Sequence, residues 1–169
     1  KNIPLSLNLF DLSLKLNSFP IREAQLVLKD IQQKNEIEFE AYINAKKREI
    51  VSYHLQHNPF YKSLAKNVNP EDWTTIPIMT KQNLQKPLKE LLSDNFSKSK
   101  VYIDKTSGAS GIPFIFAKDK FCHALTWAII IDRFSWYGVN FNRSKQARFY
   151  GIPKDTIGYI KEKIKDFVM

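Results

Sequence analysis

Residues 101–119 read VYIDKTSGASGIPFIFAKD, and the parsing of this stretch decides the fold. Val101–Asp104 is a short run of strand formers, Thr106–Pro113 is a loop of small and hydroxyl residues, and Phe114–Ala117 is a second β-type run. Asp119 then offers an N-cap for a long apolar helix that ends near Gly138. The order is strand, loop, strand, helix.

Upstream, the periodicity changes to that of helices. Ile21, Leu26, Leu28 and Ile31 recur at helical spacing and predict a helix over Ile21–Gln33. A second helix runs from about Ile37 to His57, with Phe39, Ile43, Ile50 and Leu55 on one side. Asn58-Pro59 stops it, because the residue before proline avoids the helical region. Residues 60–79 read as irregular, punctuated by Pro70 and Pro77. Thr80 caps a short helix through Leu84, and Pro87 opens another through Leu92. The first eighteen residues are ambiguous: Leu5, Leu7 and Leu9 alternate like a strand until Phe10 and Asp11 break the phase. Downstream, Ala147–Tyr150 is a strand candidate and Lys154–Val168 an amphipathic helix that runs to Met169 without a stop signal.

This order predicts an α/β or α+β fold. Residues 1–98 form a mainly helical N-terminal lobe, and residues 99–169 begin an α/β domain with part of a β-sheet and flanking helices. Two or three strands make a small sheet that gains from further strands. The chain begins with Lys1, not methionine, and ends inside a helix without a stop signal, so it is expected to be cut from a longer protein.

Composition narrows the function classes. A content of 43% hydrophobic and 13% aromatic residues supports a packed core and argues against disorder. The longest apolar run, Trp127–Ile131, falls far short of the roughly 20 residues a membrane-crossing helix needs. The N-terminal KNIPLSLNLFDLSLKL has no secretory apolar region. The one cysteine, Cys122, excludes an internal disulfide and fits a cytoplasmic location. A net charge of +9 is spread thinly along the chain and carries no nucleic-acid-binding signature.

The loop carries the chemistry. Gly108 and Gly111 permit positive φ and close backbone approach, so successive N–H groups can converge into an anion-binding nest. Thr106, Ser107 and Ser110 add hydroxyl donors, and Pro113 fixes the exit. A Walker A loop is excluded, since Gly111 is followed by Ile112-Pro113 and not by Lys-Ser/Thr opening a helix. A nucleophile elbow is excluded because Gly111 comes one residue too early after Ser110. No dinucleotide fingerprint is present either. The same letters also fit a glycine-rich turn that binds nothing.

With these residues in place, the sequence resembles the adenylate-forming superfamily of acyl-CoA ligases, most closely its phenylacetate–CoA ligase branch and the CapK-like proteins within it. The superfamily's phosphate loop is [ST]-[ST]-G-[ST]-[ST]-G-x-P, matched by Thr106–Pro113 at every position but Ala109. NPFY at Asn58–Tyr61, the Ile76-Pro77 segment and TKQNL at Thr80–Leu84 follow in the branch's order. FYGIP at Phe149–Pro153 is similar to the CapK-like subgroup. Two positions depart: Ala109 lacks a common hydroxyl, and Ile112 stands where many members have lysine.

The resemblance implies an incomplete piece of an adenylation domain. It implies binding of ATP phosphates by Thr106, Ser107, Gly108, Ala109, Ser110 and Gly111, with Mg2+ and coenzyme A serving the longer protein. The partners implied are ATP and a small carboxylic acid, with no specific nucleic acid and no membrane span. A homodimer is compatible with uncovered sheet edges. The superfamily's other catalytic and metal-binding segments are expected beyond Met169, so no catalytic or metal-ligating residue is assigned and the chain by itself is expected to be inactive.

The remaining chemistry-bearing residues favour plainer readings. His54 and His57 sit three apart on a helix and read as solvated, since a metal site needs further ligands. Cys122 and His123 point about 100° apart on a helix, so a buried structural cysteine is favoured over a reactive pair. Trp127, Phe134 and Trp136 fit an acyl or aryl pocket, but more simply a core. From a different class, a non-catalytic interaction or oligomerisation module also fits, with Thr106–Pro113 as a structural turn only.

Overall fold

The computed structural model describes residues 9–106, 113–145, 156–160 and 163. Along the chain run α1 (Leu9–Leu16), α2 (Ile21–Gln33), α3 (Glu36–His57), α4 (Pro59–Leu64), α5 (Lys81–Leu84) and α6 (Leu88–Leu91). Then come β1 (Val101–Lys105), β2 (Ile115–Asp119) and α7 (Lys120–Ser135). Short 3-10 turns lie at Trp73–Thr75 and Lys98–Lys100. The fold class is mixed: helices dominate, and the sheet formed by the described residues has two antiparallel strands, order β1-β2. The strand read at Ala147–Tyr150 and the FYGIP segment lie outside the described residues. Of the helix read over Lys154–Val168, residues 156–160 and 163 are described and are helical.

Local capping chemistry sets several of these boundaries. Asn35 accepts from the Glu38 amide at 3.0 Å while Glu38 accepts from the Asn35 amide at 3.0 Å, a reciprocal box that starts α3 one residue before its apolar pattern. Thr80 and Asn83 make the same exchange at the head of α5. Asp119 accepts from the Cys122 amide at 2.6 Å and so starts α7, as its position in the sequence implies.

Two helices end alike with different residues. After α7, Gly138 adopts φ 70, its amide bonds Ser135 O at 2.9 Å, and Val139 N bonds Phe134 O at 3.1 Å. After α1, Ser18 adopts φ 56, its amide bonds Lys15 O at 2.9 Å, and Phe19 N bonds Leu14 O at 3.1 Å. Both are Schellman closures, whose left-handed residue is normally glycine. Ser18→Gly is therefore expected to stabilise the protein by about 0.5–1 kcal/mol. Gly138→Ala is expected to cost about 1 kcal/mol, although no atom lies within 4 Å of the added methyl, because strain and not crowding opposes it. Urea denaturation of the two variants checks the opposite signs, and a destabilised Ser18→Gly would overturn the argument.

The chain divides into two compact units, one of Lys1–Leu28 with Ala124–Met169, the other of Lys29–His123. The first is built on an aromatic core in which Phe10, Leu14 and Phe141 are buried. Phe10 stacks on Phe141 with ring centroids 5.0 Å apart and meets Trp127 edge-on at 5.1 Å. Ile21, Ile130 and Ile131 close the cluster. Burial of each large apolar side chain here contributes about 1.5–3 kcal/mol.

In the second unit α3 and α4 pack together, and the joint between them corrects the sequence reading. Residues 60–79 are not wholly irregular, because α4 occupies Pro59–Leu64. Asn58 is extended (φ −117, ψ 100), a conformation forced by the following proline and also required of an N-cap. Its side chain accepts from Tyr61 N at 2.8 Å, and Pro59 enters the first turn, where no N–H is needed. The buried stripe of α3 differs as well. Val51 is its buried residue, while Phe39 and Ile50 are 44% and 50% exposed. Of the expected stripe, Ile43 and Leu55 are partly buried, while Phe39 and Ile50 stay exposed.

His54 also departs from its reading as a solvated histidine. It is half-buried, its ring lies 5.5 Å from that of Tyr61, and among the described residues Nδ1 finds no hydrogen-bond partner. Burial lowers its pKa below the ordinary imidazole value. As pH falls through about 6.5, the unfolded chain therefore takes up the proton before the folded one does. Stability is fully present above that pH and is lost progressively on acidification toward the lower folded value. His54→Phe is expected to flatten a urea-denaturation profile between pH 8 and 5. A parent protein whose stability does not change across that range would refute this assignment.

Candidate functional site

The hairpin β1–β2 brings both flanks of the Thr106–Pro113 loop together. Its register pairs Val101 with Asp119, Tyr102 with Lys118, Ile103 with Ala117, Asp104 with Phe116 and Lys105 with Ile115. One further step closes the base of the loop: Thr106 N donates to Phe114 O at 2.9 Å, and Phe114 N donates to Thr106 Oγ1 at 3.0 Å. The expected strands are thus present, each slightly longer or shifted, and they are antiparallel neighbours. Ser107, Gly108, Ala109, Ser110, Gly111 and Ile112 lie outside the described residues. Of the predicted phosphate-binding residues, Thr106 alone is placed, exposed at the mouth of the hairpin. Its hydroxyl oxygen accepts from the Phe114 amide, which leaves the hydroxyl hydrogen able to donate to an anion.

Side-chain alternation gives the two faces of the hairpin different surroundings. Tyr102, Asp104, Phe116 and Lys118 share one face, with Lys118 Nζ 5.8 Å from the Phe116 ring centre. His123, in the first turn of α7, covers that face and stacks on Tyr102 at 3.7 Å with the rings 20° from parallel. Ile103 and Ile115 on the opposite face are 41% and 49% exposed. No sequence pattern marks the Tyr102–His123 pair, since nothing local couples residues so far apart. Burial, and next the positive charge of Lys118, push the pKa of His123 down, against an opposing pull from Asp104.

The neighbouring candidates separate in space. Cys122 is exposed, not the buried structural cysteine expected, because His123 takes the inward position of that helical turn. Desolvation, and then the negative charge of Asp119, raise its thiol pKa, so the thiolate needed for nucleophilic chemistry is disfavoured. Trp127 belongs to the aromatic core, whereas Phe134 and Trp136 are 45% and 69% exposed and do not join it as buried residues. His57 tilts against Tyr53 with centroids 4.8 Å apart, and its carbonyl accepts from Asp94 N at 2.8 Å. Among the described residues no three His, Cys, Asp or Glu side chains gather into a metal site. No described helix is long and apolar enough to cross a membrane. Comparison with known protein families, with curated proteins and with solved structures returns no match to this chain.

Proposed function

We propose that this chain is the N-terminal portion of an ATP-dependent, adenylate-forming ligase of the acyl- or aryl-CoA ligase type, working in the cytoplasm. In this reading the Thr106–Pro113 loop holds the β- and γ-phosphates of ATP. A substrate carboxylate oxygen bonds to the α-phosphorus as the bond to pyrophosphate breaks. Fixed donors aimed at charge developing on the leaving pyrophosphate stabilise the transition state, and holding the phosphates in line adds a second contribution. The thiol sulfur of coenzyme A then bonds to the acyl carbon as the bond to AMP breaks, releasing AMP and the thiol proton. Mg2+, when bound, neutralises phosphate charge; no residue of this chain is assigned to hold it.

The observation that supports the reading is the closed base of the hairpin. Thr106 and Phe114 bond to each other, so the glycine- and serine-containing segment leaves one strand and returns to its antiparallel partner. A Walker-type loop would instead enter a helix. The protein containing this chain, supplied with ATP, magnesium and a panel of small carboxylic acids, is expected to catalyse carboxylate-dependent ATP–pyrophosphate exchange. ATP is also expected to slow hydrogen exchange across residues 106–113. Neither effect at saturating ATP would sink the proposal. Residues 1–169 alone are expected to release no AMP with any carboxylate, and measurable release would mean that the active site is organised otherwise.

One observation favours a second reading, an interaction or oligomerisation module. An open groove of about 590 Å³ along α3 is lined by Ile43, Ile50, Tyr53 and Phe96 together with the charged Lys46, Lys47, Glu49 and Asp119. Self-association at micromolar concentration, without any response to ATP, would select this reading over the ligase.

A further inference from the structure

A two-stranded hairpin is marginal by itself and needs something packed against it. Here β2 passes directly into α7, whose start is capped by Asp119, the register partner of Val101. The first turn of α7 then places His123, 8% exposed, flat against Tyr102 of β1. The end of the hairpin away from the loop is therefore tied twice, by the Val101–Asp119 pairing and by the ring stack. Tyr102 and Asp104 of β1 and Thr106 just beyond its end follow one another at alternate positions, spanning roughly 13 Å at about 3.3 Å per residue. The Tyr102 hydroxyl reaches Asp104 Oδ2 at 3.4 Å, the next step along that row.

We propose that Tyr102 and His123 are positioning residues, a brace that fixes the base of the loop at Thr106 and Phe114. The brace rests on the adenylate-forming reading only for its effect on ATP. Its effect on the hairpin stands on the geometry alone. An aromatic pair at this separation supports a modest but selective contribution. Losing it frees β1 to shift against β2, and the shift carries along the ladder to the two bonds at the loop base.

The test compares Tyr102→Ala with Tyr102→Phe in the full-length protein. Tyr102→Ala is expected to speed amide exchange at Thr106 and Phe114 by roughly two- to tenfold, the range an aromatic pair supports. Val51 in α3 serves as the control amide and is expected to keep its parent rate. Tyr102→Phe keeps the ring and is expected to restore parent rates at both loop-base amides. In pyrophosphate exchange, Tyr102→Ala is expected to raise the apparent KM for ATP by a similar factor without changing that for the carboxylate. A general loss of folded enzyme would lower kcat alone. Should the alanine variant not fold, Tyr102→Leu fills the same space without a ring and is expected to show the same selective rates. Unchanged exchange at Thr106 and Phe114, or equal acceleration at Val51, overturns the brace. A parent protein with no pyrophosphate exchange overturns the ligase reading, while the amide rates still judge the brace.

Discussion

Gly111→Val in the full-length protein is expected to lower carboxylate-dependent ATP–pyrophosphate exchange by at least about a hundredfold while the protein stays folded. The loop's proposed grip depends on backbone N–H groups coming close to phosphate oxygens. A β-branched side chain at this position restricts φ and fills the space the phosphate needs. Ser110→Ala removes one hydroxyl donor and leaves the backbone alone, so its effect is smaller. A hydrogen bond to a charged group contributes about 1.5–3 kcal/mol, or roughly ten- to a hundredfold in rate. Both losses are expected in the exchange step and not in coenzyme A binding, because in the ligase reading the loop holds the nucleotide. Parent exchange rates in both variants would leave the loop a structural turn and remove the strongest support for the ligase reading.

Asn58→Ala is expected to cost about 2–4 kcal/mol of stability. Asn58 is 5% exposed and serves three segments at once. Its carbonyl oxygen caps α4 through Tyr61 N at 2.8 Å, and its amide nitrogen donates to Leu91 O at 3.0 Å and Ser93 Oγ at 3.3 Å. Alanine removes the cap and leaves the part-buried Leu91 O and the buried Ser93 Oγ without that donor. Asn58→Ser restores a capping oxygen but not the reach to Leu91, so it is expected to recover roughly 1 kcal/mol. Urea denaturation measures both, and a loss below about 1 kcal/mol for the alanine variant would show that water replaces these bonds at little cost.

What the sequence determined by itself was local. Residue periodicity gave α2 its observed span, and Thr80 and Asp119 announced the starts of α5 and α7 because an N-cap needs only a side-chain oxygen and the next few amides. The strand–loop–strand order around Thr106–Pro113 was equally legible, since a Gly- and Ser-containing break between two β-type runs restricts φ and ψ within a few residues. Tertiary structure decided what no short window contains. Asn58-Pro59 read as a stop; the same pair also caps α4 through Tyr61 N, and only the folded chain brings Leu91 and Ser93 to the Asn58 amide nitrogen. Val51 became the buried residue of α3, while Phe39 and Ile50 of the expected stripe stayed exposed. Ser18 closes α1 in a left-handed conformation that its letter does not advertise. His123 turned inward and Cys122 outward because the Tyr102 ring, brought over by the hairpin, offered a partner to one of them. Capping and turn preferences act within a few consecutive residues and are written in their order. Burial depends on which distant surface arrives, and that is set by the folded chain.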